Sequence, residues 1–188
     1  MTPEREPKAR LNPGTLLSPV PAVLVTCRAD GRRPNIISLA WVGTMCSEPP
    51  VVAIGVRPSR HSYALILKSG EFVVNMPSVD QAPLVDFCGT RSGREVDKFA
   101  ALGLDVLPGA VVGAPLIADC PVNLECRVIK RTELGSHDVF FGEVVAAHAH
   151  PGALTPAGAI DPQKARLLAY AGGAYWSLGN PVPRRSGD

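Results

Sequence analysis

The chain is short of charge of either sign, of aromatic residues and of long apolar runs, and each shortage removes a class of function. It carries 19 Lys and Arg against 17 Asp and Glu, a net charge of +2 over 188 residues. So balanced a chain sets up no global field to draw it to nucleic acid or to an anionic membrane, and neither partner is expected. No apolar run approaches the ~20 residues that a membrane helix requires. Residues 1–10 have no apolar stretch behind them, so no secretory leader is expected. The five cysteines, Cys27, Cys46, Cys88, Cys120 and Cys126, are odd in number and show no C-x-x-C spacing. That argues against a disulfide framework or a zinc site and for free thiols in a reducing cytoplasm. Cys46 reads as a small buried hydrophobe between two apolar strands.

Recognisable catalytic motifs are missing as well. There is no G-x-S-x-G, no H-E-x-x-H, no Walker loop and no suggestive pair of carboxylates. His148 and His150 flank Ala149 and point to one side of an extended segment, but no neighbouring Cys or carboxylate completes a metal set, and no metal is expected. Reaction chemistry in such a chain falls to a bound cofactor that the polypeptide positions.

What is present is a turn-rich globule. Apolar residues make up 46% of the chain, and 18 Gly and 19 Pro are spread along it, which favours β over α. The length suits one domain, expected over residues 16–180, with an N-terminal arm at 1–15 and a flexible tail at 181–188. Residues 21–27 and 35–41 read as a hairpin turned at Asp30-Gly31, and 51–56 and 71–76 as further strands. Ser62 is placed to cap a helix starting at Tyr63, while Ser78 and Asp97 are placed to cap two shorter ones. From Val122 to Val128 apolar residues alternate with Asn123, Glu125 and Arg127, predicting a strand with one face inward and one toward water. Residues 139–147 predict its partner. Strands with short helices between them and no βαβ alternation predict a mainly β fold, an antiparallel Greek-key split β-barrel.

Five ordered motifs then carry a family resemblance. They are residues 30–41 with 46–50, residues 55–63 with 72–75, Ser92-Gly93 with Lys98-Phe99, residues 135–144, and Tyr170 to Trp176. Together they resemble the flavin reductase-like family of FMN-binding split barrels, in particular its flavoredoxin group. The resemblance implies that FMN lies along Asn35, Ser38, Leu39, Ala40, Trp41, Thr44 and Met45. It puts the flavin phosphate or ribityl chain near Arg57, His61 and Ser62, with Ser92 and Lys98 as a second phosphate-facing pair. Arg60, Arg91 and Arg94 read instead as solvated loop cations. His137 is implied to stand at the open face of the flavin, where it orients the nicotinamide. Ser136 beside it replaces an Asp of many relatives, which leaves the ring's local partner open. Tyr175 and Trp176 are expected to complete the site in a homodimer. The implied activity is an NAD(P)H-dependent flavin reductase that passes electrons to oxygen, a ferric chelate or a monooxygenase. The alternatives are an FMN electron carrier without nicotinamide activity and a ferric reductase.

Overall fold

The structure is a computed structural model that describes residues 8–183. Residues 1–7 of the expected arm and 184–188 of the expected tail lie outside the described residues. In chain order the first half comprises β1 (Val20–Pro21), β2 (Val23–Cys27), β3 (Asn35–Leu39), β4 (Val42–Ser47), β5 (Pro50–Val56), α1 (His61–Ser69), β6 (Glu71–Met76) and α2 (Ala82–Thr90). The second half comprises α3 (Lys98–Leu102), β7 (Val106–Leu107), β8 (Leu116–Ile117), β9 (Val122–Glu133), β10 (Asp138–Ala149), α4 (Pro162–Ala165), β11 (Leu168–Ala171) and β12 (Ala174–Ser177).

Seven strands form one antiparallel sheet in the order β3-β2-β6-β9-β10-β5-β4. Its edge strands, β3 and β4, are consecutive in the chain with only Ala40 and Trp41 between them. The sheet must therefore curl until its edges approach, yet no ladder joins them, and the barrel is split. The expected mainly β split-barrel class is the observed one. β2 shows how the core divides. Side chains alternate between the faces of a strand, so Val23, Val25 and Cys27 fill the hollow of the curl with Ile54, Phe72 and Phe140. Leu24 points the other way, into a second cluster with Ile36 and with Val85 and Cys88 of α2. That outer packing fixes α2 against β3, and it sets the walls of the cleft described below.

Local signals explain most helix ends. Ser78 and Gln81 form a capping box at the 3-10 turn that leads into α2. Asp97 Oδ1 accepts the Ala100 N–H at 3.2 Å, starting α3. α1 begins earlier than expected: Arg60 is its N-cap, without a side-chain cap, and Ser62 lies inside the first turn with its hydroxyl engaged elsewhere. Gly70, at φ 69°, ends it in the left-handed conformation that glycine adopts without strain.

The predicted water-facing side of β9 is exposed at Arg127 but covered at Asn123 and Glu125. Asn123 and Glu125 are buried because residues 110–117 fold over them. Glu125 accepts N–H bonds from Ala110, Val111 and Val112 at 2.9, 2.8 and 2.8 Å, and its Oε1 lies 2.6 Å from His148 Nε2. Asn75 Oδ1 accepts from the Ile117 N–H and from Asn123 Nδ2. The alternation was real, but a buried polar row bonded to an overlying loop has the same period as a solvated one. No helix among the described residues is long and apolar enough to cross a membrane. No group of three or more possible metal ligands occurs among them either, and His148 is engaged by Glu125.

Candidate functional site

A cleft of about 590 Å³ opens where β3, the end of β5, the α2–α3 loop, the β9–β10 turn and the β11–β12 hairpin converge. One wall is the edge strand β3 with the link that follows it, presenting Ile37, Ser38, Leu39, Ala40 and Trp41. An edge strand is suited to this because its outer N–H and C=O groups are not committed to a neighbour. Facing it, the segment from β5 into α1 contributes Arg57, Ser59, Arg60, His61 and Ser62, the α2–α3 loop contributes Arg91, Ser92, Gly93 and Arg94, and the start of α3 contributes Lys98.

The floor is a set of locked polar contacts. Asn35 is buried and its Nδ2 donates to Ser62 Oγ at 2.8 Å, tying β3 to the first turn of α1. On the other side of the Asn35 amide stands Gly93, where an added Cβ would lie 1.9 Å from Asn35 Oδ1. Only glycine lets the loop close here. Lys98 is 3% exposed, and its Nζ donates to the Ile36 carbonyl at 2.8 Å and the Cys88 carbonyl at 2.6 Å, pinning α3 to β3 and α2. Burial lowers its pKa. Ser38 Oγ donates to the Val85 carbonyl, and Arg94 Nη1 donates to the Ser59 carbonyl at 3.0 Å, joining the two facing loops.

The charge of the lining is one-sided. Arg57, Arg60, Arg91, Arg94 and Lys98 line the cleft, and among the described residues no Asp or Glu does. His61 is pushed below its ordinary pKa of 6.5 by burial and then by Arg94, Arg32, Lys98 and Arg33. His137 is lowered by burial and then by Arg57 and Arg60. Both imidazoles are therefore shifted toward the neutral form, and the arginines and Lys98 make the cleft suited to an anion. At its mouth His137 stacks on Trp41, with ring centroids 5.6 Å apart and planes at 11°. Ser136 Oγ lies 2.9 Å from His137 Nδ1, so the serine supplies the ring's local partner. Tyr170 and Tyr175 meet edge to face on the opposite rim.

Of the residues singled out from the sequence, Asn35, Ser38, Leu39, Ala40, Trp41, Arg57, His61, Ser62, Ser92, Lys98, His137 and Tyr175 all line this one cleft. Thr44 and Met45 do not: they are exposed on the edge strand β4. Cys46, expected to be buried, is exposed there too, its thiol 3.3 Å from the Glu48 carbonyl. β4 pairs only with β5, and no strand pairs with its other edge among the described residues. Trp176 is exposed and donates Nε1–H to the Ala171 carbonyl. Arg60, Arg91 and Arg94, expected as solvated loop cations, are exposed and also line the cleft, with Ser59, Gly93 and Tyr170. The shared sign of charge in residues 57–60 and 91–94 was the available signal.

A split barrel with a cationic end, an apolar strand edge and an aromatic mouth defines a binder of flat, phosphorylated ligands. Residues 16–179 match the flavin reductase like domain, and the chain belongs to that family of FMN-binding proteins. Flavoredoxin of Desulfovibrio vulgaris (Miyazaki F) superposes with a TM-score of 0.89 at 32% identity, over 95% of this chain and 97% of that one. An FMN-binding protein of Thermus thermophilus, solved with 1-cyclohex-2-enone, gives 0.79 at 28% identity over 96% and 100%. An NADH-dependent FMN reductase, RutF of Bradyrhizobium diazoefficiens, is 28% identical over 164 residues, 87% of this chain and 82% of that protein. The chain spans 64% and 51% of the length of the first two curated relatives it matches, both uncharacterised.

Proposed function

We propose that the chain is an NAD(P)H-dependent flavin reductase that holds FMN in this cleft and passes electrons on to an acceptor. The observation that carries the reading is the pairing, in one cleft, of a cationic end with no carboxylate among the described residues and a flat apolar wall that ends in the Trp41–His137 stack. Bound FMN would supply the hydride-accepting ring. The protein's residues bind and orient. Ser62, whose oxygen already accepts from Asn35, keeps its own proton for a phosphate oxygen. Ser92, Arg94 and the third N–H of Lys98 surround the same end, and the first turn of α1 adds its N–H groups. Ile37, Leu39 and Ala40 cover the ring, and the β3 edge offers backbone groups to its polar rim. No protein proton donor is required for hydride transfer, so the contribution is positioning and electrostatic tuning.

The test is anaerobic mixing of protein, FMN and NADH or NADPH. Bleaching of the flavin absorption band is expected, and its absence with both nucleotides would sink the reading. The similarity to a flavoredoxin, at a TM-score of 0.89, favours a second one: an FMN electron carrier supplied by a protein donor. Steady-state NADH oxidation separates the two. The reading includes a homodimer, in which a second copy covers exposed Met45 and Trp176. An elution volume of a monomer that retains FMN would exclude it. Five free cysteines suit a reducing cytoplasm. The acceptors that fit are oxygen, a ferric chelate or a monooxygenase that borrows reduced flavin.

A further inference from the structure

The cleft holds more cations than one phosphate monoester needs, and they fall into two groups. Lys98 and Arg94 belong to the floor and the α2–α3 loop, and His61 feels Arg94 and Lys98. Arg57 belongs to the mouth. The antiparallel register pairs Val56 with Asp138, so the next residue outward on each strand, Arg57 and His137, leave the ladder side by side. Gly55, two residues before Arg57, donates its N–H to the Trp41 carbonyl at 2.8 Å, which ties the third member to the same corner. Arg57 thus flanks the stacked Trp41–His137 pair, and Arg60, at the start of α1, lies between the two groups, acting on both His137 and Lys98. Both guanidinium groups are exposed, and neither has a carboxylate within ion-pair distance among the described residues.

Free guanidinium groups beside a flat aromatic platform match a particular ligand shape: an aromatic ring joined through a sugar to a phosphate chain. A guanidinium fork binds phosphate oxygens bidentately and loses little solvation in doing so. The ties of Arg94 and Lys98 to the Ser59, Ile36 and Cys88 carbonyls hold the floor cations at the end proposed above for the flavin phosphate.

We infer that Arg57, seconded by Arg60, forms a second anion subsite that takes the pyrophosphate of the dinucleotide hydride donor, leaving the flavin phosphate to the Lys98 and Arg94 end. This rests on the reductase reading for the ligand's identity, while the subsite itself is testable without turnover. The pyrophosphate is common to NADH and NADPH, so the subsite gives affinity for both and does not by itself select between them.

The experiment is a calorimetric titration of the FMN-loaded protein with ADP-ribose, which carries the pyrophosphate and lacks the nicotinamide, and with its 2′-phosphorylated form. The native protein should bind both, more weakly as salt rises. Arg57→Ala should weaken ADP-ribose about tenfold, as loss of one charge-assisted contact does, and Arg57→Lys should recover part of that. The dissociation constant for FMN, measured on the same variants by flavin fluorescence, should move less than about twofold. If Arg57→Ala weakens FMN in parallel with ADP-ribose, Arg57 belongs to the flavin phosphate and the inference is wrong. It is equally wrong if the native protein binds no ADP-ribose, or if Arg57→Ala binds it unchanged. An effect of Arg57→Ala confined to the 2′-phosphorylated probe would move the contact to the 2′-phosphate and overturn the pyrophosphate assignment. ADP-ribose binding that depends on Arg57 without any bleaching by NADH or NADPH would remove the reductase reading and leave the subsite standing.

Discussion

Trp41 and His137 stack with their planes only 11° apart, although one ends the link between the two edge strands and the other sits in a turn 96 residues later. The barrel's curl brings them together, and burial, then Arg57 and Arg60, shift the imidazole toward its neutral form. A neutral flat ring is the form that can lie against a nicotinamide without repelling its cationic oxidised state. His137→Ala should therefore lower kcat/KM for the nicotinamide about five- to tenfold, the worth of one stacked contact, with FMN affinity little changed. Because its pKa lies below 6.5, the native rate should show no inflection from this residue between pH 7 and 8. Stopped-flow measurement of flavin reduction across that range checks both statements.

The close approach of Gly93 to Asn35 gives a second outcome. Gly93→Ala puts a methyl group 1.9 Å from Asn35 Oδ1, a separation no contact tolerates, so either the loop or the Asn35 amide must move. Moving the amide breaks its bond to Ser62 and loosens the phosphate end. The variant should lose about 1–3 kcal/mol of stability and most of its flavin affinity. Thermal unfolding and a flavin titration measure the two separately.

Behind His137 stands a polar cluster that holds its turn. Tyr63 O–H donates to the buried Asp138 carboxylate at 2.6 Å, and Arg131 Nη1 donates to the Tyr63 oxygen at 2.7 Å and lies 3.5 Å from Asp138. The bond to Asp138 raises the phenol pKa above 10, so the proton stays in place across the physiological range. Tyr63→Phe leaves a buried carboxylate short of a donor and should cost about 1–3 kcal/mol. It should also lower kcat for flavin reduction more than it weakens FMN. A fall in thermal stability with unchanged reduction kinetics would assign the cluster to the fold alone.

Much of this arrangement was legible in the residues, and the exceptions share a cause. Strands β2, β3, β5, β6 and β10 follow apolar runs bounded by turn residues, and Asp97 caps its helix as its type predicts. Local signals suffice there because each element satisfies its own backbone. Asn123 and Glu125 misled, since residues 110–117 cover them: the Ala110 and Val112 N–H groups need Glu125 as acceptor, the Ile117 carbonyl takes the Asn123 amide as donor, and nothing local announces those pairings. Thr44, Met45 and Cys46 continue the segment that walls the cleft, but the Ala40–Trp41 link carries them across the split to the other edge of the sheet. Arg60, Arg91 and Arg94 look like separate loop cations in a linear chain; only the packing of α2 on β3 gathers them.

The Glu125 anchor sets how the fold responds to acid. Burial pushes its carboxyl up, but the N–H groups of Val112 and Val111, the His148 ring and the Ala110 N–H outweigh it, and the net value falls from 4.5 to about 2. A folded-state pKa below the unfolded one stabilises the protein above the unfolded value, and that contribution is lost as pH falls from about 4.5 toward 2. Glu125→Gln has no carboxyl to protonate, and its amide turns a donor toward three backbone donors. It should be less stable than the native protein at pH 7 by about 1–3 kcal/mol. Below pH 4.5 the gap should narrow, because the native carboxylate there loses the advantage that the variant never had. Urea unfolding at pH 7, 4.5 and 3 measures this. A gap that stays constant across the three would mean that the carboxylate's charge contributes nothing to holding residues 110–112.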